Sequence, residues 1–213
     1  MKALIIVSGG MDSVTLLHQY KQDIIMGLSF DYQSNHNEKE LPFARQNCAK
    51  LGVIHYTVKL PFVKDLFNSA LLQGAEAIPE GHYTDPSQKK TVVPFRNGIM
   101  LSIAAGVAES HGLDTVLIGN HAGDHAIYPD CRRTFIKPMS QAIKQGTYAH
   151  IKLMSPYQNL TKRQIAVKGK KYGVDYKLTW SCYKGEDTHC GKCGSCVERK
   201  EALHGFDETE YSA

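Results

Sequence analysis

Apolar and polar positions along this chain follow two regimes. Short, nearly unbroken apolar runs occur at 4–7, 24–30 and 115–119. Such runs fit strands buried on both faces of a parallel sheet. The stretch "VIHYTVKL" at 53–60 alternates with period two and reads as one more strand. Between the runs the spacing turns helical. "DSVTLLHQY" from Asp12 places Val14, Leu17 and His18 at helical intervals. "NEKELPFARQNCAKLG" reads as a helix stopped by Gly52, with Pro42 as a second starting point. The alanine-rich segment 96–112 is a clear helix ended at Gly112, and "RTFIKPMSQAIKQG" is helical in its second part. "TKRQIAVKGKKYG" opens with a capping box, Thr161 and Gln164, and ends near Gly173. Residues 61–93 carry Pro61, Pro79 and Pro86 and read as a long loop, or a short helix plus loop.

Strands alternating with helices predict a doubly wound, mostly parallel α/β sheet. At 213 residues the expectation is one domain over 1–213, with a cysteine-bearing segment at 180–200 inside it. Ligands of such sheets bind beyond the carboxyl ends of the strands. Three polar loops fall there: "SGGMDS" after the first strand, "DYQSNH" after the second and "GNHAGDHAIYPDCR" after the fourth.

The first of these loops carries chemistry. Glycines let the backbone approach a ligand closely. The first turn of the following helix offers unpaired N–H groups and the positive end of the helix dipole. The backbone from Val7 through Ser8, Gly9, Gly10, Met11, Asp12 and Ser13 to Val14, with the two serine hydroxyls, is therefore a candidate phosphate site. A tight strand-to-helix turn capped by Asp12 or Ser13 would use the same residues. The pattern is neither G-x-G-x-x-G nor G-x-x-x-x-G-K-[ST].

Hydrophobic content of 42% and charged content of 22% are ordinary for a soluble globular chain. No continuous apolar run approaches the ~20 residues of a membrane span. The first strand starts almost at Met1, which leaves no room for a signal peptide, so a cytoplasmic protein without a membrane partner is expected. A net charge of +4 is too weak to argue for nucleic acid.

Four of the six cysteines cluster as C-x7-C-x2-C-x2-C: Cys182, Cys190, Cys193 and Cys196. Two overlapping C-x-x-C turns can wrap one tetrahedral ion, and a closed set of four thiolates suits structural Zn²⁺. An iron–sulfur cluster or a redox pair competes with that reading. His189 could replace a ligand, although its place beside Cys190 makes this awkward. Cys48 and Cys131 are isolated.

"SGGMDS" resembles the S-G-G-x-D-S loop of the PP-loop ATPases, which cleave ATP to AMP and pyrophosphate. Together with the C-terminal "TWSCYKGEDTHCGKCGSCVERKEAL", the chain resembles the 7-cyano-7-deazaguanine synthase family of queuosine-precursor synthesis. "FDY" with His36, "VPFRN", "YPDCR" followed by Phe135 and Lys137, and Lys162 fall where that family has its own motifs. The resemblance implies a PP-loop fold, a structural zinc held by the four cysteines, ATP with Mg²⁺, and a homodimer. It implies the conversion of 7-carboxy-7-deazaguanine and ammonia to the nitrile through adenylated intermediates. Asp12 would hold Mg²⁺ or orient the loop. Arg96, Arg132, Lys137 and Lys162 would neutralise phosphate or substrate carboxylate. Asp124 and Asp130 would read the guanine-like edge, with Asp31, His36 and Asn97 also at the substrate, and His121 or His125 relaying a proton.

The chain departs from the family pattern in three places. The usual F-D-Y-G-Q-R-H is "FDYQSNH", V-P-G-R-N is "VPFRN", and Ala126-Ile127 replace the Ser-Gly of D-x-S-G. These changes leave open a product that stops at the amide or joins another amine. Two further readings compete: a PP-loop tRNA-modifying enzyme, which needs a tRNA-binding surface or another domain, and a zinc-ribbon binding module with a vestigial ATP loop.

Overall fold

The N-terminal apolar run becomes β1 (Ala3–Ile6), the middle strand of a five-stranded parallel sheet. The computed structural model describes residues 1–212. β2 (Ile24–Asp31) and β3 (Ile54–Lys59) lie to one side of β1, and β4 (Thr115–Leu117) and β5 (Lys152–Met154) to the other, in the order β3-β2-β1-β4-β5. Ile5 stands opposite Gly27 on β2 and Leu117 on β4.

Side chains alternate across a strand, so a strand covered on both faces needs apolar residues throughout. Ala3, Ile5 and Val7 pack with Leu16 and Leu17 of α1 (Met11–Gln19), Ala44 and Cys48 of α2 (Asn37–Lys50), and Ile165 of α6 (Lys162–Lys171). Leu4 faces the opposite layer, with Leu101, Ala104 and Ala108 of α4 (Arg96–Ser110). Burying each Leu or Ile side chain contributes roughly 1.5–3 kcal/mol, so β1 alone excludes polar substitution on either face. Helix α5 (Arg133–Gly146) packs beside β5 and buries Ile136 and Ile143.

The expected α/β sheet is present, with differences in detail. The three-residue β5 and α7 (Gly194–Leu203) add to the elements anticipated, and residues 61–93 take the form of a short helix, α3 (Pro61–Leu66), plus loop. α2 runs unbroken through Pro42, and α5 spans its whole segment through Pro138. In α2 the packing of Ala44 and Cys48 against the sheet outweighs the hydrogen bond lost at proline. The capping box on α6 forms as read: Gln164 N–H donates to Thr161 Oγ1 at 3.2 Å, and Thr161 N–H donates to Gln164 Oε1 at 2.9 Å.

One stretch, 86–110, is long and apolar enough to cross a membrane by length and composition. Its helical part α4 spends that apolarity on the sheet, burying Met100, Leu101, Ala104, Ala105 and Ala108.

The connections reverse direction between β1 and β4, whose carboxyl ends diverge into a crevice. The C-terminal segment closes over it. Arg199 of α7 is fully buried there. It donates to the hydroxyls of Thr209, Thr179 and Ser181 and to the Tyr176 carbonyl at 2.6–3.0 Å. Arg199→Met should destabilise the protein by ~3 kcal/mol or more, because it leaves several buried acceptors without donors; a urea midpoint unchanged from the unmodified chain would contradict this anchor.

Candidate active site

The loop after β1 is held open by its own side chains. Ser13 Oγ accepts from Ser8 N–H at 3.1 Å and donates to the Gly10 carbonyl at 3.1 Å, while Ser8 Oγ accepts from Gly10 N–H at 3.0 Å. The serine hydroxyls thus shape the loop. Gly10 is the N-cap of α1 and supplies no side-chain cap, so no capping side chain stands between the first amides of the helix and the crevice. Gly9 has φ of 95°, and its neighbour is the backbone of α2. A Cβ at Gly9 would collide with the Glu40 carbonyl oxygen and crowd the Ala44 amide. The Gly9 carbonyl accepts from Trp180 N–H at 3.0 Å, which ties the loop to the C-terminal segment. Val14 is buried in the core, and its N–H is used within the helix.

A charged cluster stands at the mouth of α1. Lys162 Nζ lies 3.2 Å from Asp12 Oδ2 and 2.8 Å from Glu198 Oε2. Burial alone would lower the Lys162 ammonium, but the carboxylates of Asp12, Glu198 and Asp124 hold it well above its ordinary value. His121, 1% exposed, accepts from Gly123 N–H at Nδ1. With Nδ1 accepting, the ring hydrogen sits on Nε2, which faces Asp124, Asp12 and Glu198 at 3.6–3.9 Å and has no hydrogen-bond partner. Oδ1 of Asp12 is likewise buried without one.

Across the same cleft lies an aromatic wall. Arg96 Nη1 donates to Tyr32 OH at 3.0 Å, and its guanidinium sits 5.5 Å from the Tyr32 ring centroid and 5.9 Å from that of Tyr128. Tyr128 and Tyr183 share a hydroxyl hydrogen bond of 3.1 Å, and Tyr83 OH donates to Asp124 Oδ1 at 3.3 Å. Burial holds the Tyr83 and Tyr183 phenols well above their ordinary range, so they stay neutral donors. At the floor, burial and then Arg96 push the His36 imidazole down to about 3. Burial pushes the Glu40 carboxyl up to about 8 against the pull of Arg96 and Lys162. The whole cleft holds about 1100 Å³, solvent mouth included.

The four clustered cysteines are buried, and their sulfurs all lie within 4.8 Å of one another. Bonds of ~2.3 Å to one tetrahedral ion place sulfurs about 3.8 Å apart; Cys190 and Cys196 stand at 3.9 Å. This spacing fits a single ion, since thiolates on separate irons of a cluster stand farther apart. The group could hold a metal ion. Backbone amides of Cys190 and Cys193 point at the sulfurs of Cys182 and Cys190 at 3.3 Å, as around a thiolate–metal centre. His189 is turned away: its Nε2 accepts from Ser181 N–H at 3.1 Å, and its ring packs tilted against Trp180, with centroids 4.2 Å apart.

A sequence profile described as "QueC: Queuosine biosynthesis protein QueC" matches residues 2–207. Proteins named 7-cyano-7-deazaguanine synthase from Porphyromonas gingivalis and Desulfotalea psychrophila are 55% and 48% identical over 212 and 214 residues. These matches cover 98% of this chain, and 96% and 98% of the relatives. The chain belongs to the QueC family. Two solved structures share its fold. A U34-tRNA thiolase, NcsA, from Methanococcus maripaludis with its 4Fe-4S cluster has a TM-score of 0.52 at 17% identity, over 96% of this chain and 67% of that one. An NMN synthetase from Francisella tularensis has 0.55 at 14%, over 100% and 79%. At such identities the likeness is one of fold.

Several residues marked out by the QueC resemblance stand outside the main cleft. The Asp130 carboxylate accepts from Asn97 N–H at 2.8 Å and so caps α4. Asp130 and the exposed Arg132 line a separate hollow with Phe95 and Phe135. Lys137 is exposed on α5. Asp31 accepts from Gln33 N–H at 3.1 Å in a tight turn. His125 meets Gln158 at 3.0 Å, away from His121. Asn97 does line the cleft, with its side-chain amide donating to Cys131 Sγ at 3.1 Å. Glu40, Glu198, Tyr83, Tyr128 and Tyr183 line the cleft or its charged corner without having been singled out as site residues by the sequence. A spacing signal existed only for Glu40, four residues after His36, and for Glu198, two after Cys196.

Two departures from the QueC pattern share one physical feature. Gln33 and Phe95 replace glycines of that pattern, and both are left-handed, with φ of 58° and 52°. Phe95 is 59% exposed, and its ring lies over Gly98 and edge-on to Phe135 at 5.5 Å. Gln33→Gly and Phe95→Gly should each be neutral or stabilising by up to ~1 kcal/mol, because glycine adopts this conformation without strain. A fall in melting temperature of several degrees in both variants would show that the side chains outweigh the strain.

Proposed function

We propose that the chain converts 7-carboxy-7-deazaguanine and ammonia to 7-cyano-7-deazaguanine, consuming two ATP and releasing AMP and pyrophosphate. The reading rests on one observation above the rest. The N-terminus of α1, free of a side-chain cap, and the Arg96–Tyr32 pair open into a single cleft, in a chain of the QueC family.

A carboxylate is a poor electrophile because its oxide leaves badly. Transfer to AMP makes a mixed anhydride that an amine can attack. The chain's part is position and charge. The amides at the start of α1 receive phosphate oxygens, and the helix dipole favours their charge. Lys162, held between Asp12 and Glu198, is a cation within reach of the same phosphates. Asp12, with its unpartnered Oδ1, and Asp124 would hold Mg²⁺, which supplies positive charge to the phosphates. Arg96 faces the acid, and the tyrosine wall offers flat apolar surface to a heteroaromatic ring. The nitrile is favoured over the amide as product because Ile127 is buried against Tyr83 and Tyr128 and does not narrow the cleft.

The four cysteines would hold zinc in a closed site, which makes it structural. It would clamp Cys182, next to the Trp180–Gly9 contact, onto Cys193, the N-cap of α7. The alternative of a tRNA-modifying enzyme finds support in fold likeness alone.

Two outcomes follow. Asp12→Ala should lower AMP and pyrophosphate formation by at least about 100-fold with the fold intact, and the unmodified protein should yield a product of nitrile mass with two AMP for each. Release of ADP and phosphate, or one AMP per amide under saturating ammonium, would reject the corresponding part of the reading. Purified protein should also contain about one zinc per chain, and Cys193→Ser should reduce folded yield more than it reduces the activity of what folds. Well-folded, active, zinc-free protein would count against the metal.

A further inference from the structure

The cleft has two halves, a phosphate loop and the Arg96–Tyr32–His36 side, and the Glu40 carboxyl group stands between them. Glu40 Oε1 lies on the loop side, 3.6 Å from the position a Cβ would take on Gly10. Glu40 Oε2 lies on the other side, 3.8 Å from His36 Nε2. The side chain is 15% exposed and lines the cleft. Among the described residues no group donates a hydrogen bond to it at short range. Its backbone is seated against the loop, because the Glu40 carbonyl packs directly on Gly9.

We propose that Glu40 binds the ammonium ion and acts as the base that frees its lone pair for attack on the acyl adenylate. The assignment rests on the function proposed above. The acyl carbon of the adenylate must lie where the two halves meet, since its phosphate belongs to the loop and its ring to the aromatic wall. Glu40 lies at that junction, whereas both oxygens of Asp124, the other carboxylate near the wall, already accept from Tyr83 OH and His121 N–H. Ammonium gives one proton to the Glu40 carboxylate. The freed nitrogen pair forms the C–N bond. The bond from the acyl carbon to the AMP oxygen breaks, and its electron pair leaves with AMP. A second N–H proton passes to solvent through the cleft mouth, and the amide remains.

The groups facing Glu40 suit this role. They are His36 at the N-cap of the same helix, Tyr32 just after β2, Arg96 on α4 and Lys162 on α6. His36, neutral by burial, does not compete with the incoming cation. Arg96 and Lys162 keep the carboxyl from being locked in its protonated form, and its proton affinity falls near working pH, where a base is most effective.

Ammonium and hydroxylamine separate this role from a structural one. Hydroxylamine is already unprotonated at neutral pH, so it needs no base to become a nucleophile. In Glu40→Gln, acid-dependent ATP–pyrophosphate exchange should persist within a few-fold, which reports both folding and adenylation. Turnover with ammonium should fall by about 100-fold or more, the range expected for losing a positioned base. Hydroxamate formation from hydroxylamine should stay within about five-fold of the unmodified protein. Equal losses with both amines, an undiminished ammonium rate, or loss of exchange in the variant would overturn the assignment. Absence of acid-dependent exchange in the unmodified protein would overturn the proposed function itself, and is seen before any variant is made.

Discussion

The site depends on a missing side chain. Gly9 has no Cβ, and the backbone of α2 occupies the space one would need. That contact seats α2 against the start of α1 and sends Glu40 and His36 into the cleft from one side. The Gly9 carbonyl meanwhile receives the Trp180 amide from the other. One glycine therefore joins the N-terminal loop, the second helix and the C-terminal segment. Any residue with a side chain would push these apart, whatever it did to the local turn.

Charge imposes the second constraint. Asp12, Asp124 and Glu198 converge on one corner, and Lys162 is the cation that makes their burial tolerable. Carboxylates brought together without it would repel, and each would lose hydration. Phosphates entering beside α1 compete for the same lysine, so the cluster is poised to exchange one set of anions for another. Glu198 connects this corner to the cysteines, because it follows Cys196 on α7. A metal that fixes the start of α7 would also fix the carboxylate that holds Lys162.

What was legible in the sequence was local. "SGGMDS" and the cysteine spacing each bring their groups together over a few residues, so the text nearly determines the geometry. The strands of the core read clearly because two-sided burial forces a continuous apolar run. β5 escaped because three residues carry no period, and α7 because its cysteines hid a helix. The aromatic wall is assembled from Tyr32, Tyr83, Tyr128 and Tyr183, which lie far apart in the chain and meet only through the topology. Asp130 and Lys137 show the converse. Motif position drew them toward the substrate, while a helix cap and an exposed helix face claim them in the structure.

The two left-handed residues give the altered rim a common logic. Gln33 directly follows Tyr32, and Phe95 directly precedes Arg96; Tyr32 and Arg96 are hydrogen-bonded to each other. Both departures from glycine thus flank the two ends of one contact in the cleft. An unfavourable backbone conformation persists only where the surroundings over-determine it. Here the Asn37 side chain accepts from the Tyr32 and Ser34 amides on either side of Gln33, and Phe95 is braced by Phe135. The substitutions therefore change what the outer rim presents while leaving the Tyr32–Arg96 pair in place. Divergence at such positions reshapes the entrance to the cleft and spares the groups at its floor.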